Sequence, residues 1–457
     1  MTEMDLAHEK RVALLTGGGM TGSIFMIALP VITGNALAVV MELTNAFFLG
    51  RLGPDALAAV TMSFAVIFFI MTFGSGLAIG TVALVARAYG EKNYRKAAHT
   101  GTQSILLGFA VSLVIGTAGF LVSPFLLGLM GAKGEILALA NVYLRIIFGG
   151  LFLMFFMFQV NAIFQGAGDT LTPMKVGVFA MLLNIALDAI LIFGLLGFPR
   201  LGVAGAALAS LIARTLACAL LGRILIRGRH AVRIKLDELS PDVKVMKRIF
   251  KVGFPGAVQM MIRSSSFVVL TGLAALFGPI VVAALGVGNR IFSVFLFPGF
   301  GFGAAASTLA GQNLGAGKPD RAEKSVLLAC LYYVSLILVL AVPLFFLSER
   351  AAAVFNSDPD FVRATSDFIR FLTVSAIFLG PGLVFSHALQ GAGATIYPMF
   401  ITAVTLYGVQ IPAAWFMAVH LKLGAHGIWM AMLAAHFVNA ILMSVVFLRG
   451  RWKRKVL

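Results

Sequence analysis

Charge is what this chain has least of. Only 12% of its 457 residues are charged, about half the share found in a soluble domain. A water-soluble fold of this length is therefore excluded. Cysteine is almost absent. Cys218 and Cys330 both fall in apolar runs, which excludes a disulfide framework and a thiolate metal centre. Acids are scarce beside bases, 18 Asp and Glu against 35 Lys and Arg. On a soluble protein a net charge of +17 would point to nucleic acid. Here the bases cluster between apolar runs, as in a membrane protein that keeps Lys and Arg in cytoplasmic loops, and no nucleic-acid partner is expected. The sequence has no Gly-x-x-x-x-Gly-Lys-Ser/Thr loop, so ATP is not the expected energy source. It has neither paired acids nor histidines at metal spacing: His387, His420, His426 and His436 are scattered. The expectation is a protein that is not an enzyme and carries no cofactor.

What is present is length of apolar run. Sixty per cent of the residues are hydrophobic, with 40 Phe and 49 Gly. A spanning helix needs about 20 apolar residues, and Gly lets such helices approach closely. Twelve candidates fit, near 18–48, 56–86, 98–124, 136–164, 171–196, 201–226, 246–276, 281–310, 322–347, 361–389, 396–420 and 424–448. An even number puts both termini on one side of the bilayer. With that side cytoplasmic, the inner segments hold 24 Lys and Arg and the outer loops six. The expectation is an inner-membrane, multi-pass, all-α protein with both termini cytoplasmic.

The chain repeats itself at an offset of 225 residues. Pro30 meets Pro255, and Gly53-Pro54 meets Gly278-Pro279. Gln165-Gly-Ala-Gly168 meets Gln390-Gly-Ala-Gly393, Thr170 meets Thr395, and Pro173-Met174 meets Pro398-Met399. Each half holds six spans, so the halves share one orientation and are related by a pseudo-two-fold axis along the membrane normal. The reading is a six-helix bundle over 1–226, a basic cytoplasmic linker over 227–245 and a second bundle over 246–457. Two equivalent bundles that rock about a cleft are the architecture of alternating access. Gly34, Gln259, Arg263 and Asn289 are the candidates for lining that cleft. For Arg263 a snorkelling position at an interface is the alternative.

The halves differ where chemistry is expected. Asn184 meets Val409, Asp188 meets Ala413, Asn161 meets Ser386, Asn45 meets Leu270 and Glu42 meets Phe267. Among the 18 acids only Glu42 and Asp188 lie well inside a predicted span. A charged Asp at the centre of a membrane helix costs roughly 2.5 to 3.5 kcal/mol on insertion scales. The default for such a residue is an ion or proton site. Asn184 and Asp188, four apart, share a helix face, as do Glu42 and Asn45, three apart. Carboxylate and amide oxygens are hard ligands suited to sodium, or to holding a proton. The alternative for Asn45 and Asn161 is plain helix–helix hydrogen bonding.

Several segments together resemble the multidrug and toxic compound extrusion (MATE) family of secondary transporters. They are Phe48-Leu-Gly-Arg-Leu-Gly53, Leu84-Val-Ala-Arg-Ala-Tyr-Gly90, Ser307-Thr-Leu-Ala-Gly-Gln-Asn-Leu-Gly-Ala-Gly317, Leu201-Gly-Val-Ala-Gly-Ala206 and the two Gln-Gly-Ala-Gly loops. The resemblance covers nearly all twelve spans. It implies export of bulky, cationic or aromatic compounds such as drugs, by a single chain, against inward flow of protons or sodium. It also implies a cation site at Asn45, Asn161, Asn184 and Asp188, with sodium held at Asp188, Asn184 and Asn161 if sodium is the ion. The sequence departs from the family at Asn45, where many relatives have Asp, and Glu42 one turn earlier would then supply the carboxylate. A lipid or lipid-linked oligosaccharide flippase of the same superfamily is the alternative.

Overall fold

The computed structural model describes residues 3–228, 233 and 240–455, and these form helices joined by short turns. In hydrocarbon every backbone N–H and C=O must be satisfied inside its own segment, so apolar runs of this length become helices. Eleven are long and apolar enough to cross a bilayer, and a bent pair supplies a twelfth.

The first half contains α1 (Glu3–Gly17), α2 (Met20–Gly50), α3 (Pro54–Gly90), α4 (Tyr94–Leu129), α5 (Gly134–Gly149), α6 (Leu151–Gly166), α7 (Leu171–Phe193) and α8 (Gly202–Arg227). The second contains α9 (Val243–Ala275), α10 (Pro279–Gly315), α11 (Pro319–Phe346), α12 (Ser348–Ala353), α13 (Pro359–Leu379), α14 (Phe385–Gly391), α15 (Ile396–Ala403), α16 (Ile411–Trp415) and α17 (Ala425–Leu448). A π-helical turn, Gly380–Val384, joins α13 to α14, and another, Val404–Gln410, joins α15 to α16.

The helix ends follow local chemistry. Gly53 and Gly278, at φ 127° and 101°, turn the chain where a side chain would be strained, and each precedes a proline in the first turn of a long helix. Asn93 Oδ1 accepts from the Lys96 N–H at 2.9 Å and caps α4.

One expectation needs correction. The fourth predicted span, 136–164, is not one helix: α5 and α6 meet at an angle of 51°. The break falls at Gly149-Gly150, a weak pair for helix. A Cβ at Gly150 would overlap the Leu211 side chain of α8, so the bend seats bare backbone against that helix. The short helices α1 and α12 were not anticipated either.

The chain divides into two compact units. Unit 1 is Met1–Val12 with Pro30–Phe254, and unit 2 is Ala13–Leu29 with Pro255–Leu457. Two of the three boundaries fall on a proline inside a long helix, Pro30 in α2 and Pro255 in α9, and the third falls within α1. Proline lacks the N–H for the helical ladder and kinks the axis. The opening turns of α9 therefore belong to unit 1, where Gly80 and Gly253 bring α9 and α3 together backbone to backbone. A Cβ on Gly253 would sit 2.4 Å from the Gly76 carbonyl oxygen.

Most of the predicted linker, 229–232 and 234–239, lies outside the described residues. Its end is held on α4. Gln103 donates Nε2–H to the Ser240 carbonyl at 2.9 Å and accepts the Asp242 N–H at 2.8 Å. His99 Nε2 lies 3.2 Å from Asp242 Oδ2.

Unit 1 packs α3, α4, α5 and α6 around Phe148, Leu151 and Phe155, and α3, α6 and α8 around Val85, Phe164 and Leu221. Unit 2 is built on stacked rings. Phe385 lies flat on Phe447 at 4.5 Å, and Phe368 lies on Trp429 at 3.9 Å.

Candidate functional site

The site is built on the α7–α8 hairpin of unit 1. Gly194, at φ 74°, ends α7 in the left-handed conformation, and the Leu201 N–H returns to the Leu191 carbonyl at 3.0 Å. Gly205 then lets α8 lie directly on α7: a Cβ there would come within 2.5 Å of the Leu191 carbonyl oxygen. This approach sets Ser210 of α8 beside Asn184 of α7.

Asn184 and Asp188 are each 1% exposed. An amide orientation has to be chosen from its partners, and one choice satisfies both ends of the Asn184 amide. The Asn184 oxygen accepts from the Ser210 N–H at 3.0 Å and hydroxyl at 3.2 Å, and its NH2 donates to Asp188 Oδ2 at 3.0 Å. Asp188 Oδ1 is buried without a hydrogen-bond partner. The face shared by Asn184 and Asp188, expected from their spacing, is thus a hydrogen-bonded pair.

Asp188 differs in kind from the other buried acid. Among the described residues only Asp169 and Asp188 are buried carboxylates. Asp169 lies in the turn before α7 and has partners. The Arg11 guanidinium stands 3.1 Å away, close enough for an ion pair although misaligned as a hydrogen bond. Thr172 donates to Asp169 from both its N–H and its hydroxyl, at 3.2 and 2.8 Å. Asp188 has no cation in contact. A buried polar atom with no partner costs about 1–3 kcal/mol, and more if charged. Oδ1 therefore calls for a proton or a cation.

The other expected residues are placed differently. Asn45 on α2 is half-buried, and its Oδ1 is buried without a partner. Leu49 and Ile192 pack in one cluster, and the rings of Phe48 and Phe193 meet at 5.9 Å. As first and fifth spans, α2 and α7 run in the same direction. Asn45 and Asp188 lie four residues before that contact, each one turn back along its own helix. Glu42 and Asn161 are both exposed, and among the described residues neither hydrogen-bonds to the Asn184–Asp188 pair. Gly34 has open space where a side chain would stand. Asn289 on α10 is half-buried.

Gln259 is 3% exposed, inside unit 2. Its Nε2 donates to Thr402 at 2.8 Å and Ser386 at 3.3 Å, and its Oε1 accepts from Gln390 at 2.8 Å. Its amide is thus occupied within unit 2. Ser210, which fixes the Asn184 amide, was not foreseen: a serine in an alanine-rich helix carries no signal of what it will face. Among the described residues no three His, Cys, Asp or Glu side chains group as a metal centre.

The chain matches the MatE family model twice, over residues 30–190 and 255–416. The matches start at the two equivalent prolines. It is 27% identical to the probable multidrug resistance protein NorM of Thermotoga maritima, over 94% of this chain and 92% of that protein. It is 28% identical to the FAD transporter of Shewanella oneidensis, over 85% of this chain and 86% of that protein. Its fold superposes on a structure described as the outward-facing conformation of a multidrug resistance MATE family transporter of the MOP superfamily. The TM-score is 0.90 at 26% identity, covering 98% of this chain and 99% of that one.

Proposed function

The chain belongs to the MatE family of membrane transporters, and on that premise we propose that it exports bulky cationic or aromatic compounds by coupling to inward cation flow through Asp188. The observation that carries the reading is Asp188 Oδ1, a buried carboxylate oxygen with no hydrogen-bond partner, on the one buried acid among the described residues that no protein cation contacts. Such an oxygen has to be protonated or ion-bound when it is sealed from water, and can release its charge only when its access changes. Alternation between those states is what links an ion gradient to the movement of a second solute.

The donor set favours a proton over sodium. Sodium needs several oxygens around it. In the satisfied orientation the Asn184 oxygen is taken by Ser210 and only its NH2 faces Asp188. A sodium ion there would require the amide to turn over. A proton on Oδ1 requires no change, because Oδ2 keeps the Asn184 bond. Asn45 Oδ1, a further buried oxygen without a hydrogen-bond partner, stands one turn before the α2–α7 contact, as Asp188 does, and is our candidate for a second group on the proton's path. The excess of Lys and Arg in the inner segments supports cytoplasmic termini, so that export runs away from the side carrying both ends.

The test is export of tetraphenylphosphonium from proteoliposomes under a pH gradient, a sodium gradient, or neither. Export driven by the pH gradient and lost in Asp188→Asn is expected. Undiminished export by Asp188→Asn at equal protein density would overturn the assignment.

A further inference from the structure

The last span of unit 2 ends in a turn that holds one row of charge in a fixed place. Gly450, at φ 69°, closes α17 in the left-handed conformation, and Arg451–Arg454 follows as a single 3-10 turn. Such a turn has three residues per revolution, so residues three apart eclipse and the turn has three faces. Trp452 fills the first. It is buried, and its indole N–H donates to the Phe447 carbonyl at 2.8 Å. Its ring lies on Phe447 with centroids 5.0 Å apart and planes 19° apart, and Phe447 is itself stacked on Phe385. Lys453 fills the second face. Its Nζ stands 2.6 Å from Glu323 and 3.8 Å from Asp320, both of α11. The third face holds Arg451 and Arg454, one above the other. Both are exposed, as is Arg449 just before the turn.

Among the described residues none of these three arginines has an ion pair or a side-chain hydrogen bond. Other arginines of unit 2 are placed differently. Arg263 is half-buried in the middle of α9, and Arg321 and Arg370 are bonded, to the Gly18 carbonyl and to Glu349. The helix that leads to the turn has an apolar outer face. Phe437, Ile441, Val445 and Leu448 are exposed, and their spacing keeps them on one side of α17. That stripe ends one residue before Arg449.

We propose that the foot of α17 binds one anionic phospholipid, with its phosphate on Arg449, Arg451 and Arg454 and an acyl chain along the stripe that ends at Leu448. Guanidinium forks match phosphate oxygens. Three positive charges with no acid beside them favour a headgroup without an ammonium of its own, so phosphatidylglycerol is preferred to phosphatidylcholine. Bases at the end of a membrane helix draw anionic headgroups in general. Here the Trp452 plug and the Lys453 ion pairs fix the row, so the attraction acts at one place. A free phosphate ion would meet the same charges and leave the apolar stripe uncovered. The inference is independent of the export reading and of the coupling ion.

The purified protein in detergent is titrated with an equal mixture of phosphatidylglycerol and phosphatidylcholine of distinguishable acyl mass, and the bound lipids are counted by native mass spectrometry. The first phosphatidylglycerol is expected to bind about tenfold more tightly than phosphatidylcholine. The double variant Arg451→Gln, Arg454→Gln should bring it down to the level of phosphatidylcholine. The double variant Arg223→Gln, Arg227→Gln removes two exposed charges from the end of α8 and should keep the preference within about twofold of the parent. Trp452→Ala leaves every charge in place and removes the plug, and it should weaken phosphatidylglycerol several-fold. Should that variant not fold, the two arginine pairs decide the matter, since all four side chains are exposed. Equal loss in the two arginine pairs would make the attraction one of net charge and overturn the site. No preference in the parent, or full preference in Trp452→Ala, would also overturn it. Displacement of phosphatidylglycerol by millimolar inorganic phosphate would assign the arginines to a free anion and overturn the lipid.

Discussion

Pro30 and Pro255 occupy the same place in the two halves of the chain. Each interrupts the first long helix of its half, and each marks where the chain passes from one compact unit to the other. A proline in a membrane helix frees backbone groups that neighbours must satisfy, and so a helix is weakest there. The duplicated sequence placed this weakness twice, at the points where each half gives its opening segment to the other unit. Asp188 is by contrast a feature of one half alone, since its equivalent is Ala413. The scaffold is symmetric, and the chemistry is not.

The α7–α8 approach depends on Gly205. A methyl group there would come within 2.5 Å of the Leu191 carbonyl oxygen, which is backbone and cannot rotate aside. Gly205→Ala should destabilise the protein by about 1–3 kcal/mol through overpacking and lower its thermal midpoint in detergent. It should also loosen the contact between Ser210 and Asn184, and so reduce coupled export more than Ser210→Ala does. A thermal midpoint equal to that of the parent would mean that the hairpin has slack that the structure does not show.

The tie between α9 and α4 should be sensitive to acid. The hydrogen bond from His99, followed by the Val245 N–H, holds the Asp242 carboxyl below the usual carboxylate range. A depressed folded-state value contributes stability that is complete above the unfolded value, about 3.9 for Asp. That contribution is lost as pH falls through the folded value. The Lys244 and Val245 amides donate to Asp242 Oδ1 at 3.0 and 3.2 Å and report on the tie. At pH 7 their hydrogen exchange should be protected in the parent and faster in Asp242→Asn. In acid, once the pH is below the depressed folded-state value, the two proteins should converge. Equal protection in both proteins at pH 7 would show that Gln103 alone holds the segment.

The orientation proposed from Lys and Arg has a direct check. Cys218 and Cys330 are buried, so native thiols give little background. Ser240→Cys and Ala353→Cys each put a thiol at an exposed position. The first should react with an impermeant maleimide only in inside-out vesicles, and the second only in intact cells. The opposite pattern at both sites would invert the topology.

Much of this fold was legible because hydrocarbon leaves a chain few options. Apolar runs of the right length have to become helices, and a single gap-free offset exposes the duplication. The pair Asn184–Asp188 was legible because four residues return to the same helix face. The bend at Gly149-Gly150 was not, because the side chain packed against the bare Gly150, Leu211, comes from about 60 residues away in sequence. The partners of Gln259 were hidden for a similar reason. A polar residue in an apolar span reads as facing water, whereas Ser386, Gln390 and Thr402 converge on it from other helices. No local pattern announces such a convergence.

Glu42 and Asn45 divide the last question between them. The sequence allowed Glu42 to stand in for an acid missing at position 45. The structure leaves Glu42 exposed and without a bond to the Asn184–Asp188 pair, while Asn45 Oδ1 is buried and unpartnered, one turn before the contact that joins α2 to α7. A carboxylate outside the buried pair leaves the hydrogen bonds of that pair intact when its charge is removed. A buried acceptor without a partner, at the level of Asp188 on the neighbouring helix, is the group that the proposed proton coupling would use. Glu42→Gln should therefore export within about twofold of the parent, a change of under roughly 0.5 kcal/mol. Asn45→Ala should lose about tenfold, or roughly 1.4 kcal/mol, under a pH gradient. Asn45→Asp should place a second carboxylate beside the pair's level on α2 and change the number of charges moved per cycle, read as altered dependence of export on membrane potential. A Glu42→Gln loss as deep as that of Asp188→Asn, with Asn45→Ala unaffected, would transfer the second coupling group to Glu42 and require α2 to rotate during the cycle.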